Sequence, residues 1–143
     1  MSKTAISALL TALILVGCGG ESPESLMSSA KGYMAKNDNK AAVIQLKNAL
    51  QNNPNLGEAR FLLGKALFNG GDPTAAEVEL RKANELKYPA DQVTPLLARS
   101  QLMLGQSKKI IDDFAKVQLT SPESKADLQT TLAQAYLMTG KLE

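Results

Sequence analysis

The strongest constraint on what this chain can fold into is a recurrence at one fixed spacing. Ala42, Leu46 and Ala49 return 34 residues later as Ala76, Leu80 and Ala83, and the same slots then hold Ile110, Phe114 and Val117. Ala30 returns as Gly64 and Ala98, and Gly71 as Gly105. Pro54 and Pro122 lie two periods apart, with Pro89 one place late between them. Several rows in phase mean that one supersecondary unit is repeated. Such a unit cannot bury its apolar face alone and must stack on its neighbours.

The unit reads as helix, tight turn, helix. Ala42, Leu46 and Ala49 fall at i, i+4 and i+7, one face of a helix. Ser22-Pro23 and Ser121-Pro122 read as serine caps with proline in the first turn, and Gly70-Gly71-Asp72-Pro73 as one helix ending and the next being capped. Asn55 with Glu58 reads as a variant capping box. These signals predict helix pairs at about 24–36 and 39–52, 57–69 and 73–87, 91–104 and 107–119, with a last helix at about 123–139. The predicted class is all-α, and only 4% aromatic residues agree with a core of Ala and Leu.

These rows resemble the tetratricopeptide repeat (TPR), a helix-turn-helix solenoid. The resemblance implies small residues at the close contacts (Ala30, Ala42 and Ala49, then Gly64, Ala76 and Ala83) and large ones in the remaining holes (Tyr33 and Leu46, then Leu67 and Leu80). It divides residues 23–143 into repeats at about 23–56, 57–90 and 91–124 and a partial one at 125–143, about three and a half in all. The third repeat departs from the pattern. Ile110 and Val117 stand where Ala is usual, and Gln101 where Tyr or Leu is expected. Such bulk predicts a splayed junction. The fourth begins with Leu132, Ala133 and Tyr136 and turns at Gly140, three residues before the sequence stops. With no polar capping helix in view, the expectation is a piece of a longer array, the alternative being a short form whose last helix pairs with another protein.

The first residues read as an address. Lys3 precedes an apolar run of thirteen at 5–17, too short for a bilayer span of about 20 residues but suited to the core of an export signal. It ends in Leu15-Val16-Gly17-Cys18, which resembles a bacterial lipobox. The alternatives are an ordinary export signal and a membrane helix with an incidental cysteine. The resemblance implies a signal peptide at 1–17, a diacylated Cys18 as the mature N-terminus, and a flexible tether at 18–22. Cleavage would leave a net charge of +1 in place of +2. Gly19 is not the Asp that retains enteric lipoproteins at the inner membrane, so the resemblance points to the outer membrane, facing the periplasm.

Composition narrows the chemistry. With no His and one Cys, a disulfide framework, a Cys/His metal site and a Ser-His or Cys-His nucleophile are all excluded. Sixteen basic against fourteen acidic residues make no nucleic-acid footprint. Glu77 with Glu79 and Asp112 with Asp113 read as solvated surface, since neighbours at these spacings do not share a helix face. Asn69-Gly70-Gly71-Asp72 lacks the Lys-Ser/Thr of a phosphate loop. The expectation is no enzyme, no small-molecule substrate, and no cofactor beyond the lipid on Cys18.

In a TPR stack the first helix of each unit lines the concave surface. Lys31, Lys65 and Arg99 share one slot there, a basic ladder at the repeat period, with Met27, Met34, Phe61, Phe68, Leu102 and Met103 beside it. Such a groove suits an extended peptide with acidic groups or a terminal carboxylate, or an anionic sugar chain. The alternative is that the charges are ordinary surface and the Phe and Met pack between repeats. The asparagine expected for a carboxylate clamp within the first repeat is missing, and only Asn69 is suggestive.

The stretches SAKGYMAKNDNKAAVIQLKNALQNNPN and EARFLLGKALFNGGDPTAAEVELRKANELKYPADQVTPLLARSQLMLGQ are similar to the long TPR lipoproteins of the exosortase/PEP-CTERM system. That resemblance covers residues 18–143 and implies a membrane-anchored scaffold for protein–protein contacts in protein sorting and exopolysaccharide export. The alternatives are an accessory lipoprotein of outer-membrane protein assembly or pilus biogenesis, and a direct binder of anionic polysaccharide.

Overall fold

The computed structural model describes residues 21–140, which form seven helices. They are α1 (Pro23–Ala35), α2 (Asn39–Asn52), α3 (Gly57–Asn69), α4 (Pro73–Glu85), α5 (Ala90–Met103), α6 (Ser107–Phe114) and α7 (Pro122–Thr139). No strand occurs among the described residues. The fold is all-α. The signal peptide expected at 1–17, Cys18 and the start of the tether lie outside the described residues, as do 141–143. Glu21 and Ser22, assigned to a flexible tether, are engaged: the Glu21 carbonyl accepts from Asn52 Nδ2 at 3.2 Å, and Ser22 caps α1. No described helix is long and apolar enough to cross a membrane.

Local chemistry sets the helix starts. Ser22 accepts from Ser25 N at 3.2 Å, Asp38 from Ala41 N at 3.0 Å, Asp72 from Ala75 N at 2.9 Å, and Ser121 from Ser124 N at 3.5 Å. Each satisfies an amide that the first helical turn leaves free. Within every hairpin the turn rests on one left-handed residue, Asn37, Gly71 and Gly105, again 34 apart. The following amides of Asp38, Asp72 and Gln106 reach back five residues to the carbonyls of Tyr33, Leu67 and Gln101. The capping box at Asn55 does not form. Leu56 is the N-cap of α3 without a side-chain bond, because Asn53 Oδ1 takes the Asn55 amide at 3.1 Å and the Arg60 guanidinium holds the Pro54 carbonyl.

Packing follows the repeat rows. Ala30, Ala42, Leu46, Ala49, Ala76, Leu80, Ala83, Ala98 and Ile110 are completely buried. Each helix packs on the next, and the odd-numbered helices also approach one another backbone to backbone in series, whereas α4 and α6 meet through long side chains, Lys109 on Glu77 and Arg81 on Asp113. The stack therefore closes up on the odd-numbered side. Among the described glycines the closest approach is at Gly64 on α3, where a Cβ would stand 2.6 Å from Leu80 Cγ on α4.

The third hairpin departs from the expected helix bounds. Instead of reaching 119, α6 ends at Phe114 after eight residues. Ile110 is buried in full and Val117 falls beyond the helix end, half-buried, so the bulky slots are absorbed by shortening the helix. Two anchors draw the chain out of helix. Leu119 is buried, and Asp91 at the start of α5 accepts from the Thr120 amide at 2.7 Å, the Thr120 hydroxyl and the Ser121 amide. Pro95 lies inside α5 and has no N–H to offer the carbonyl of Asp91 four residues back. Ser124 Oγ on α7 donates to that carbonyl at 2.7 Å. In α4 the helix stops at Glu85 rather than 87, because Lys87 turns left-handed and the Tyr88 amide closes on Ala83 O.

Candidate functional site on the odd-numbered helices

The ladder slot lies in mid-helix on α1, α3 and α5, and all three of its cations are exposed. Each stands near the first turns of the next odd-numbered helix, and there the rungs differ. Lys31 Nζ pairs with Glu58 Oε1 at 2.6 Å, a hydrogen bond that holds its ammonium above the usual lysine range. Arg99 lies over the Phe68 ring at 5.2 Å and faces Asp127 Oδ2 at 3.9 Å. Opposite Lys65, in the slot 34 residues after Glu58, the sequence has Gln92, whose Oε1 accepts from the Tyr88 hydroxyl. Lys65 has no ion pair among the described residues.

Lys65 opens into a cleft of about 330 Å³ between α3, α5 and α7. Phe61, Pro95 and Leu96 supply its apolar part, and Asp91, Glu123 and Asp127 its carboxylates. Asp91 spends its charge on the amides of Thr120 and Ser121, and the hydrogen bond from Thr120 holds its carboxyl below the usual aspartate range. The remaining groove candidates divide into floor and rim. Phe61 is buried and stacks on Tyr88 with centroids 5.0 Å apart. Met27, Met34, Phe68 and Leu102 are half-buried against the core, which is the inter-repeat packing foreseen as the alternative. Met103 and Asn69 are exposed at the ends of α5 and α3.

A second polar assembly escaped the sequence reading, and it corrects the view of Glu77 and Glu79 as solvated surface. Glu77 is buried. Its Oε1 receives Lys109 Nζ at 2.8 Å and Arg81 Nε at 3.1 Å, and its Oε2 receives Gln106 Nε2 at 3.2 Å. Burial pushes the carboxyl up, but the bonds from Lys109, Arg81 and Gln106 outweigh it and hold the group below the ordinary glutamate range. Gln101, completely buried, points its amide at Glu77 and at Asp113, and Asp113 also pairs with Arg81 at 3.2 Å. Glu79 is likewise enclosed, bound by Arg60 at 2.7 Å and Lys82 at 3.0 Å. One signal was available: Glu77 occupies the slot of Val43 and Ile111, and Gln101 that of Leu67. Two polar residues in adjoining apolar slots of one junction imply that they satisfy each other.

Among the described residues no group of three or more His, Cys, Asp or Glu side chains is placed to hold a metal ion. Comparison with protein-family models and with curated proteins finds no match to this chain.

Proposed function

We propose that the chain is a TPR-type solenoid that binds an extended segment of a protein partner along its odd-numbered helices, with Lys65 as the open cation. The observation that carries this reading is the contrast along the ladder. Two rungs are paired within the chain, while the central rung faces a cleft with an apolar wall in which Asp91 is bound by Thr120 and Ser121 and Asp127 faces Arg99, leaving Glu123 as the one carboxylate without such a partner. A polyanionic sugar would need repeated free cations. A peptide needs one fixed charge and an apolar floor, which favours the protein partner. In this reading Cys18 carries the lipid, the array stands at the envelope, and the partner belongs to an exosortase or exopolysaccharide-export assembly.

Peptide selection on the immobilised protein tests the binding half. Selected sequences should carry a carboxylate, and Lys65→Glu should abolish their retention. Failure to enrich any sequence overturns it. Membrane fractionation tests the anchor: Cys18→Ala should move the protein to the soluble fraction, and retention in the membrane fraction overturns the lipoprotein assignment.

A further inference from the structure

The repeat allows the gaps between successive hairpins to be compared slot by slot. Along the edge that carries the hairpin turns, the gap between the second and third hairpins is bridged by side chains. Gln101, Gln106 and Lys109 converge on Glu77, and Leu104 stands half-buried at the C-cap of α5. Thirty-four residues earlier, in the gap between the first and second hairpins, the slots of Glu77, Gln101 and Leu104 hold Val43, Leu67 and Gly70. No side-chain hydrogen bond or ion pair joins those positions among the described residues, and Gly70 contributes no side chain where the next unit has leucine. The result is an open cleft of about 560 Å³ floored by Val43, Ile44, Ala66 and Leu67. Ile44 is 59% exposed there. The rim carries the carboxylates of Asp38 and Asp72 against the single ammonium of Lys40.

We propose that this cleft docks a partner peptide that inserts one leucine-class or methionine-class side chain above Gly70 and sets a basic residue against Asp38 and Asp72. The chain supplies the template for the anchor, since the equivalent slot one unit later holds a leucine, Leu104, that is half-buried. The rim supplies the charge preference: Asp38 and Asp72 cap α2 and α4 through Oδ1 alone, so each keeps its second oxygen and its negative charge for a cationic flank. No residue lining this cleft lines the Lys65 cleft, so the two surfaces are separate. The inference stands whether or not the Lys65 face binds its own ligand.

Methyl-labelled NMR of the protein, followed at Val43 and Ile44, tests it. The probes are acetylated, amidated Lys-Leu-Lys, Lys-Ala-Lys and Glu-Leu-Glu. Lys-Leu-Lys should give saturable shifts, and the other two should bind about ten-fold more weakly or worse. Gly70→Leu should plug the cleft from within and abolish the shifts. Its backbone at φ −79° and ψ −1° suits any L-residue, although the new Cβ would lie 3.2 Å from Ala66 O. Ile44→Lys alters an exposed position, removes part of the apolar floor, adds a like charge against the basic flank, and should abolish the shifts read at Val43. Absence of saturable shifts, undiminished shifts in both variants, or equal binding of Glu-Leu-Glu would each overturn the proposal. So would a response to phosphocholine micelles without one to the peptides, or concentration-dependent self-association that accounts for the shifts.

Discussion

Gly64→Ala should destabilise the protein, although alanine is ordinarily the better helix residue. The added Cβ would meet Leu80 Cγ at 2.6 Å, Leu80 Cδ2 at 2.9 Å and the Ala76 carbonyl at 3.3 Å. Leu80 is completely buried, so it cannot retreat into solvent. Overpacking of this kind costs about 1–3 kcal/mol. Removing glycine from a helix interior returns about 0.5–1 kcal/mol, which leaves a net loss of roughly 0–2.5 kcal/mol. Urea unfolding followed by far-UV circular dichroism reads this as a lower midpoint at unchanged slope. Leu80→Ala alone should cost about 2–5 kcal/mol through the cavity it opens. In the double variant the new Cβ occupies part of that cavity, so the combined loss should fall short of the sum by about 1 kcal/mol or more. A more stable Gly64→Ala protein, or strict additivity in the double variant, would refute the argument that α3 has no room for a side chain against Leu80 at this slot.

Other consequences are open to direct measurement. Glu77→Gln should lower stability by about 1–3 kcal/mol near neutral pH, since Lys109 and Arg81 lose a charged acceptor. The folded-state carboxyl lies below its ordinary range, so its contribution is complete above that range and disappears as pH falls through the folded value. The gap between wild type and Glu77→Gln should therefore narrow as pH falls below the ordinary glutamate range, and a pH-independent gap contradicts the assignment. Ser124→Ala leaves the Asp91 carbonyl without the donor that Pro95 cannot supply, at a cost of about 1 kcal/mol. Hydrogen exchange should then rise first at the α5–α7 contact, and unchanged protection there would count against the account.

The architecture was legible because it depends on rows that recur. Ala30, Leu46, Ala49 and their counterparts, Val117 excepted, are buried where the 34-residue register puts them, and each hairpin turn rests on the slot of Gly71. What the sequence concealed depends on contacts between units. Gln101 looked like a defect in a hydrophobic slot and Glu77 like surface, but Glu77 is buried with Lys109, Arg81 and Gln106 bound to it, and the Gln101 amide group turns toward the same carboxylate. The early end of α6 was invisible because Asp91, 29 residues before Thr120, holds the segment that would otherwise continue the helix. The ladder was visible as three equal cations, and only the structure separates Lys65 from its paired neighbours. Periodicity reports the backbone and the core; it does not report which carboxylate a long side chain reaches.

The proposed function turns on that separation, and one titration decides it. A peptide selected on the wild-type protein would be measured by fluorescence polarisation against Lys31→Glu, Lys65→Glu and Arg99→Glu. The account predicts that Lys65→Glu weakens binding by about ten-fold or more, the equivalent of about 1.4 kcal/mol. Lys31→Glu and Arg99→Glu, whose cations already face Glu58 and Asp127, should change it by no more than about three-fold. Equal losses in all three variants, or an undiminished affinity in Lys65→Glu, would contradict a binding groove centred on Lys65.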